Sequence, residues 1–245
     1  MNEMLFYDLK QSSGLTHSLA DQVAKEIGRR IVSSAYRPGD LIEDETSLAE
    51  KYQVSRSVIR DAVKILVGKN LLEVRRGIGT RVRGRQSWGL LDDDVLAWHL
   101  SSPVRPEFLR QLMDMRVVLE PEAARWAALQ GSEESVDEIL RAQAAMEEEK
   151  GSLQDFVVCD ALFHRAILRA SGNEILQAME GVIFSALLQS IRLTNSDARE
   201  NADSLPFHRE VADAIASRRS EDAAMLMKRL LVDARQRLNE RLGAS

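Results

Sequence analysis

The chain has 245 residues, a formal net charge of −5, 44% hydrophobic and 29% charged residues, and one cysteine, Cys159. One cysteine excludes an internal disulfide framework, and no apolar run nears the roughly 20 residues of a membrane span. The opening MNEMLFYDLKQSS lacks a basic segment followed by an apolar core, so a cytoplasmic protein is expected. The charge is uneven. Residues 16–85 hold 14 Lys and Arg against 9 Asp and Glu, whereas residues 86–245 hold 18 against 27. A basic module joined to an acidic one points to a polyanionic partner for the first.

After an N-terminal arm, 1–15, Leu19, Val23, Ile27 and Ile31 recur at helical spacing and predict a helix over 16–34. The turn AYRPGD interrupts it, a short helix follows at 45–52, and Ser55 caps a third carrying Val58, Ile59, Ala62, Ile65 and Leu66. LLEVRRGIGTRVRG then reads as two short strands around Gly77-Ile78-Gly79, a hairpin with arginines on both arms. Three helices and a hairpin in this order make a winged helix-turn-helix over 16–85, and the helix opening at Ser55 is its recognition helix. Arg56 and Arg60 share its polar face, and arginine's planar fork bonds guanine O6 and N7 together. Arg75, Arg76, Arg81, Arg83 and Arg85 ride on or near the wing, facing phosphates or a minor groove. The expected DNA-facing set is Arg37, Ser55, Arg56, Ser57, Arg60, Arg75, Arg76, Gly77 and Gly79.

Residues 86–106 join the modules. Trp88, Leu91, Val95 and Trp98 form an apolar stripe, and the aspartates at 92–94 suit a helix N-terminus, so a docked helix is expected. From 107 onward the pattern is helical, with candidates at 107–119, 121–130, 133–149, 152–171, 173–197, 204–218 and 220–241. The fold class expected is mainly α, a winged helix-turn-helix followed by an all-α bundle of six or seven helices, 107–245.

Three polar features interrupt the apolar faces of that bundle. In VCDALFHRAILRASGN, Asp160 and His164 lie four apart, on one helix face with Val157, Phe163, Ile167 and Leu168 on or beside it. His208 shares a face with Leu205, Ala212 and Ile215, and Arg116 sits in the seam of Leu109, Leu112, Leu119 and Ala123. A guanidinium there wants a carboxylate, either that of an effector or, structurally, Glu120 or Asp160. Arg192 and Asn195 are further pocket candidates.

The run AYRPGDLI through SLAEKYQVSRSVIRDAVKILVGKNLLEVRRGIGTRV resembles the DNA-binding domain of the GntR family of bacterial transcription regulators. The pieces MRVVLEPEAARWAA, DALFHRAILRASGN and FHREVADAI are similar to the effector (FCD-type) domain of its FadR subgroup, and SWGLLDDDVLAWHL resembles subgroup members that respond to sugar acids of the galactonate type. The resemblance implies a homodimeric regulator, mostly a repressor, on a palindromic operator, controlled by a small carboxylate effector. It also implies a divalent metal held by an Asp and three His. Asp160, His164 and His208 match, but the third histidine falls at Leu230, leaving three protein ligands for zinc or a similar ion. Thr46 departs from the arginine common there in relatives. No catalytic residue is assigned. The alternative is a metal-dependent hydrolase or isomerase built on the bundle.

Overall fold

The structure, a computed structural model, describes residues 18–101, 105–148, 153–181, 184 and 198–243; the arm 1–15, Arg192 and Asn195 lie outside them. It divides into two compact units, Met1–Val104 and Arg105–Ser245.

In the first unit α1 spans Leu19–Val32, opened by a capping box in which Ser18 and Asp21 satisfy each other's amides. The helix α2, Glu45–Tyr52, is capped by Asp44 and ends at Gln53, whose φ of 55° turns the chain toward α3, Arg56–Gly68. Ser55 accepts the amide of Val58 and fixes the start of α3. Ile27, Ile31, Leu48, Ile59, Leu66, Leu71 and Leu72 form the core under these helices. The hairpin pairs β1, Leu72–Arg75, with β2, Gly79–Val82, in antiparallel register from Leu72 opposite Val82 to Arg75 opposite Gly79. Gly77 and Gly79 take φ of 76° and 123°, a backbone that side-chain-bearing residues rarely adopt. A bridge from Leu41 to Arg81 adds a third, minimal edge that the sequence did not signal.

Of the connecting segment 86–106, residues 86–104 fall within the first unit. Its helix α4, Asp93–Ser101, is capped by Asp92, whose Oδ1 accepts the amides of Asp94 and Val95 at 3.0 and 3.1 Å. Lys69 Nζ lies 2.8 Å from both Asp92 and Asp94, and Trp88 donates to the Arg83 carbonyl at 2.9 Å. Trp88, Val95 and Trp98 are buried. Leu91 is not: it lies before the capping residue, off the helix, and is 66% exposed, so the expected stripe loses a member.

The second unit carries helices and no strand among its described residues: α5 Pro106–Gln130, α6 Glu133–Glu148, α7 Leu153–Ala170, the short α8 Glu174–Ala178, α9 Ala198–Ala216 and α10 Ser220–Gly243. The expected break at Pro121 is absent. Proline removes the N–H that would bond Val117 and costs about 3 kcal/mol in a helix, but extensive packing of α5 on α10 and α7 carries the helix through it. The helix expected over 173–197 is interrupted at Met179, and most of its later residues lie outside those described.

Candidate nucleic-acid interface and metal centre

On the first unit, Arg37, Ser55, Arg56, Ser57, Arg60, Arg75, Arg76, Gly77 and Gly79 are all exposed. Arg60 Nε bonds Glu45 Oε2 at 2.8 Å, an ion pair between α3 and α2 that sequence reasoning missed. Its worth in stability is small because both groups face water, so its effect is to orient the guanidinium. The wing arginines divide into two groups. Arg83 donates to Asn70 at 2.8 Å, and Arg85 lies 4.9 Å from the Trp88 ring centre, so both are engaged within the fold rather than presented on the wing. Arg81 is half-buried. Arg75 and Arg76 flank the tip, with Arg75 touching Glu73 at 2.8 Å. Thr46 donates its amide to Asp44 and serves the cap of α2.

In the second unit α5, α7 and α9 bring five polar residues into the apolar interior. Arg116 and Glu120 come from α5, Asp160 and His164 from α7, and His208 from α9, each 5% exposed or less. Their presence on apolar faces follows from spacing: 116 and 120, and 160 and 164, each lie one turn apart. Glu120 Oε1 accepts from Arg116 Nε at 2.6 Å, and Oε2 lies 2.5 Å from His164 Nδ1 in ion-pair contact rather than an aligned hydrogen bond. The other imidazole nitrogen, Nε2, lies 3.2 Å from Asp160 Oδ1. His208 repeats the arrangement, with Nδ1 2.8 Å from the Ser204 carbonyl and Nε2 3.3 Å from the same Asp160 oxygen. Phe163 packs edge-on against both imidazoles, its ring centre 5.5 Å from His164 and 5.3 Å from His208.

Burial alone would raise the carboxyl of Glu120, but Arg116 and His164 hold it down to about 2. Asp160 is likewise lowered, with His208 and His164 outweighing its burial. His164 is raised: desolvation opposes the charge, and Glu120 and Asp160 overcome it. The group therefore calls for positive charge. With neutral imidazoles, the two carboxylates exceed Arg116 by one negative charge, which either a proton on His164 or a cation compensates.

The donor geometry fits a cation. Asp160, His164 and His208 offer ligand atoms all within 4.8 Å of one another, and Asp160 Oδ1 is buried with no hydrogen bond. Metal–ligand bonds of ~2.0–2.1 Å at tetrahedral angles separate neighbouring ligand atoms by about 3.3 Å; Asp160 Oδ1 stands 3.2 and 3.3 Å from the two Nε2 atoms. The donors and their number suit zinc or another transition ion with an open position. Leu230, where the family pattern placed a further histidine, is a buried apolar residue of α10. Of the expected pocket residues, then, Arg116, Asp160, His164 and His208 lie in one buried group. Arg116 faces Glu120, the structural partner weighed in the sequence.

Such a chain, a winged helix-turn-helix joined to a helical domain with a buried Asp-His-His cluster, defines a DNA-binding transcription regulator. Residues 19–82 match the bacterial regulatory proteins of the gntR family and residues 111–233 match the FCD domain. The chain belongs to the gntR family, in the branch carrying an FCD domain. It is 28% identical to the galactonate operon transcriptional repressor of Escherichia coli K12, over 92% of this chain and 99% of that one. It is 31% identical to the Glc operon transcriptional activator of the same strain, over 71% and 70%. Among solved structures, a Streptococcus agalactiae GntR protein superposes with a TM-score of 0.51 at 26% identity, covering 89% of this chain and 99% of that one. These relatives are transcription regulators, and nothing in the comparisons supports the hydrolase or isomerase alternative. No helix among the described residues is long and apolar enough to cross a membrane.

Proposed function

We propose that the chain is a ligand-responsive repressor in which Asp160, His164 and His208 hold a divalent transition metal and a sugar-acid carboxylate binds beside it, within reach of Arg116. The observation that carries this reading is the convergence of three buried donors, all within 4.8 Å of one another, with the two Nε2 atoms 3.2 and 3.3 Å from Asp160 Oδ1. Charge supports the anionic effector. A divalent ion added to Asp160, Glu120 and Arg116 leaves one positive charge in a dry site, which a monocarboxylate neutralises. The ion supplies an open coordination position for a carboxylate or hydroxyl oxygen; Arg116 supplies donors, and Phe163 excludes water. The galactonate repressor's similarity over nearly its whole length supports the sugar-acid class.

On the DNA side, Arg56 and Arg60 read base edges from the start of α3, Ser55 and Ser57 meet phosphates there, and Arg37, Arg75, Arg76 and the Gly77 and Gly79 backbone bind the flanking backbone or minor groove. Two chains related by a two-fold axis read a palindrome. Effector binding biases the balance between DNA-competent and DNA-incompetent arrangements. The test is operator selection from a random duplex library, followed by release with galactonate and other aldonic and uronic acids. A palindromic consensus released by one such acid supports the proposal. A consensus that none of them displaces refutes the effector class, and failure to enrich any sequence refutes the DNA reading.

A further inference from the structure

We infer that Glu120 is the positioning residue of the metal centre: it keeps the proton of His164 on Nδ1 and thereby leaves Nε2 free for the ion. This rests on Asp160, His164 and His208 being the ligands. Both histidines are turned the same way. Each presents Nε2 to Asp160 Oδ1, and each has an oxygen close to Nδ1: the Ser204 carbonyl at 2.8 Å, hydrogen-bonded, for His208, and Glu120 Oε2 at 2.5 Å, within reach of a small ring rotation, for His164. A ligand imidazole must be neutral with its lone pair toward the ion, and the acceptor behind the other nitrogen selects that tautomer. For His208 the backbone of α9 is that acceptor. His164 uses instead a charged side chain from a different helix, 1% exposed, and burying a carboxylate costs several kcal/mol unless it is paired.

The partner of Glu120 explains how it is held. Arg116 takes Oε1 at 2.6 Å, which fixes the carboxylate plane and leaves Oε2 turned to His164. Were Glu120 only a counter-charge for Arg116, one oxygen would suffice; its second oxygen faces the ring nitrogen opposite the donor face. A glutamine at this position cannot serve both neighbours, since both Arg116 Nε and His164 Nδ1–H require acceptors. If the amide oxygen goes to Arg116, the amide N–H faces Nδ1 and draws the proton of His164 to Nε2, against the ion. If the oxygen goes to His164, the amide N–H meets the guanidinium.

The test is zinc affinity of the full-length chain, stripped with EDTA and titrated in competition with a chromogenic chelator. It compares the natural sequence, Glu120→Gln, and the paired Arg116→Met/Glu120→Met, which removes both buried charges together, guards against misfolding of the single variant and leaves His164 Nδ1 with no side-chain acceptor at position 120. The expected result is a loss of roughly 10–100-fold in zinc affinity for both. In alkaline buffer, ring nitrogen resonances of histidine-labelled stripped chain are expected to show His164 as the Nδ1–H form in the natural sequence and shifted toward Nε2–H in Glu120→Gln. A role confined to folding would lower the melting temperature of the stripped chain without moving the tautomer. Unchanged zinc affinity in both variants, or an unchanged tautomer, overturns the positioning role while leaving the three-ligand site standing. Zinc affinity that is absent in the natural sequence overturns the site itself, and the inference with it.

Discussion

Gly28 on α1 lies under the indole of Trp98 on α4, and substituting it tests whether the segment after the wing is part of the DNA-binding unit. An ideal Cβ at Gly28 falls 2.2 and 2.3 Å from two ring carbons of Trp98, a residue only 3% exposed. In an isolated helix Gly→Ala stabilises by about 1 kcal/mol. Here the methyl must displace a buried aromatic ring, and overpacking of that kind costs ~1–3 kcal/mol, toward the upper end for an overlap this deep. The net expectation is a loss of about 2 kcal/mol, or roughly 8–16 °C in the melting temperature of a unit this size. Removing the ring reverses the sign. Trp98→Ala alone costs ~3–5 kcal/mol, but adding Gly28→Ala in that background then gains up to about 1 kcal/mol, because only helix propensity remains. Calorimetric melting of the four full-length chains in the cycle measures this directly. If Gly28→Ala is neutral or stabilising while Trp98 is present, the indole does not pack on α1 and the docking of α4 is wrong.

Other substitutions separate the two kinds of arginine at the wing. Arg75→Ala and Arg76→Ala should weaken DNA binding evenly across sequences and each reduce the salt slope by about 1, whereas Arg83→Ala should leave the slope unchanged and lower stability; gel-shift titrations at several salt concentrations decide. Arg56→Ala should remove ~1–3 kcal/mol of base discrimination, read as lost preference for a selected operator over scrambled DNA. Ser55→Ala should cost about 1 kcal/mol through the lost cap of α3, visible in urea unfolding. Glu43 supports the first unit electrostatically: burial opposes its charge, but Lys51 and Tyr36 lower it to about 2. A carboxyl depressed in the folded state contributes stability above its ordinary value, near 4.5, and loses it as pH falls toward 2. Glu43→Gln should therefore destabilise at neutral pH and do so progressively less in acid, as melting curves across that range would show; a constant difference would contradict the assignment.

Much of this architecture was legible in the sequence because local chemistry and burial agree. Ser55 both caps α3 and precedes its apolar stripe, and Gly77 and Gly79 supply the backbone a tight hairpin demands. Asp160 and His164 declared themselves by standing one turn apart on an apolar face. What periodicity could not convey was where a helix begins or whether it survives a proline. Leu91 fits the stripe by spacing, yet Asp92 caps the helix after it. Pro121 should end a helix by local preference, and tertiary packing overrides it. His208 is far from 160 in sequence, so only the family pattern joined them; the fold of α7 against α9 is what brings Nε2 to Asp160. Glu120 was visible as a partner for Arg116 at i+4 spacing, but its second oxygen's approach to His164 is a fact of helix packing between α5 and α7.

Ligand-induced stabilisation of the full-length chain by galactonate and related acids, with and without EDTA, tests the metal-assisted effector site most directly. A ligand at about 100 times its dissociation constant adds roughly 2.7 kcal/mol, a rise of about 5–11 °C for a domain of this size. Such a rise is expected with one sugar acid, lost on adding EDTA and restored by zinc. A rise that EDTA leaves intact would contradict the role of Asp160, His164 and His208 as metal ligands, and no rise with any acid would contradict the effector site.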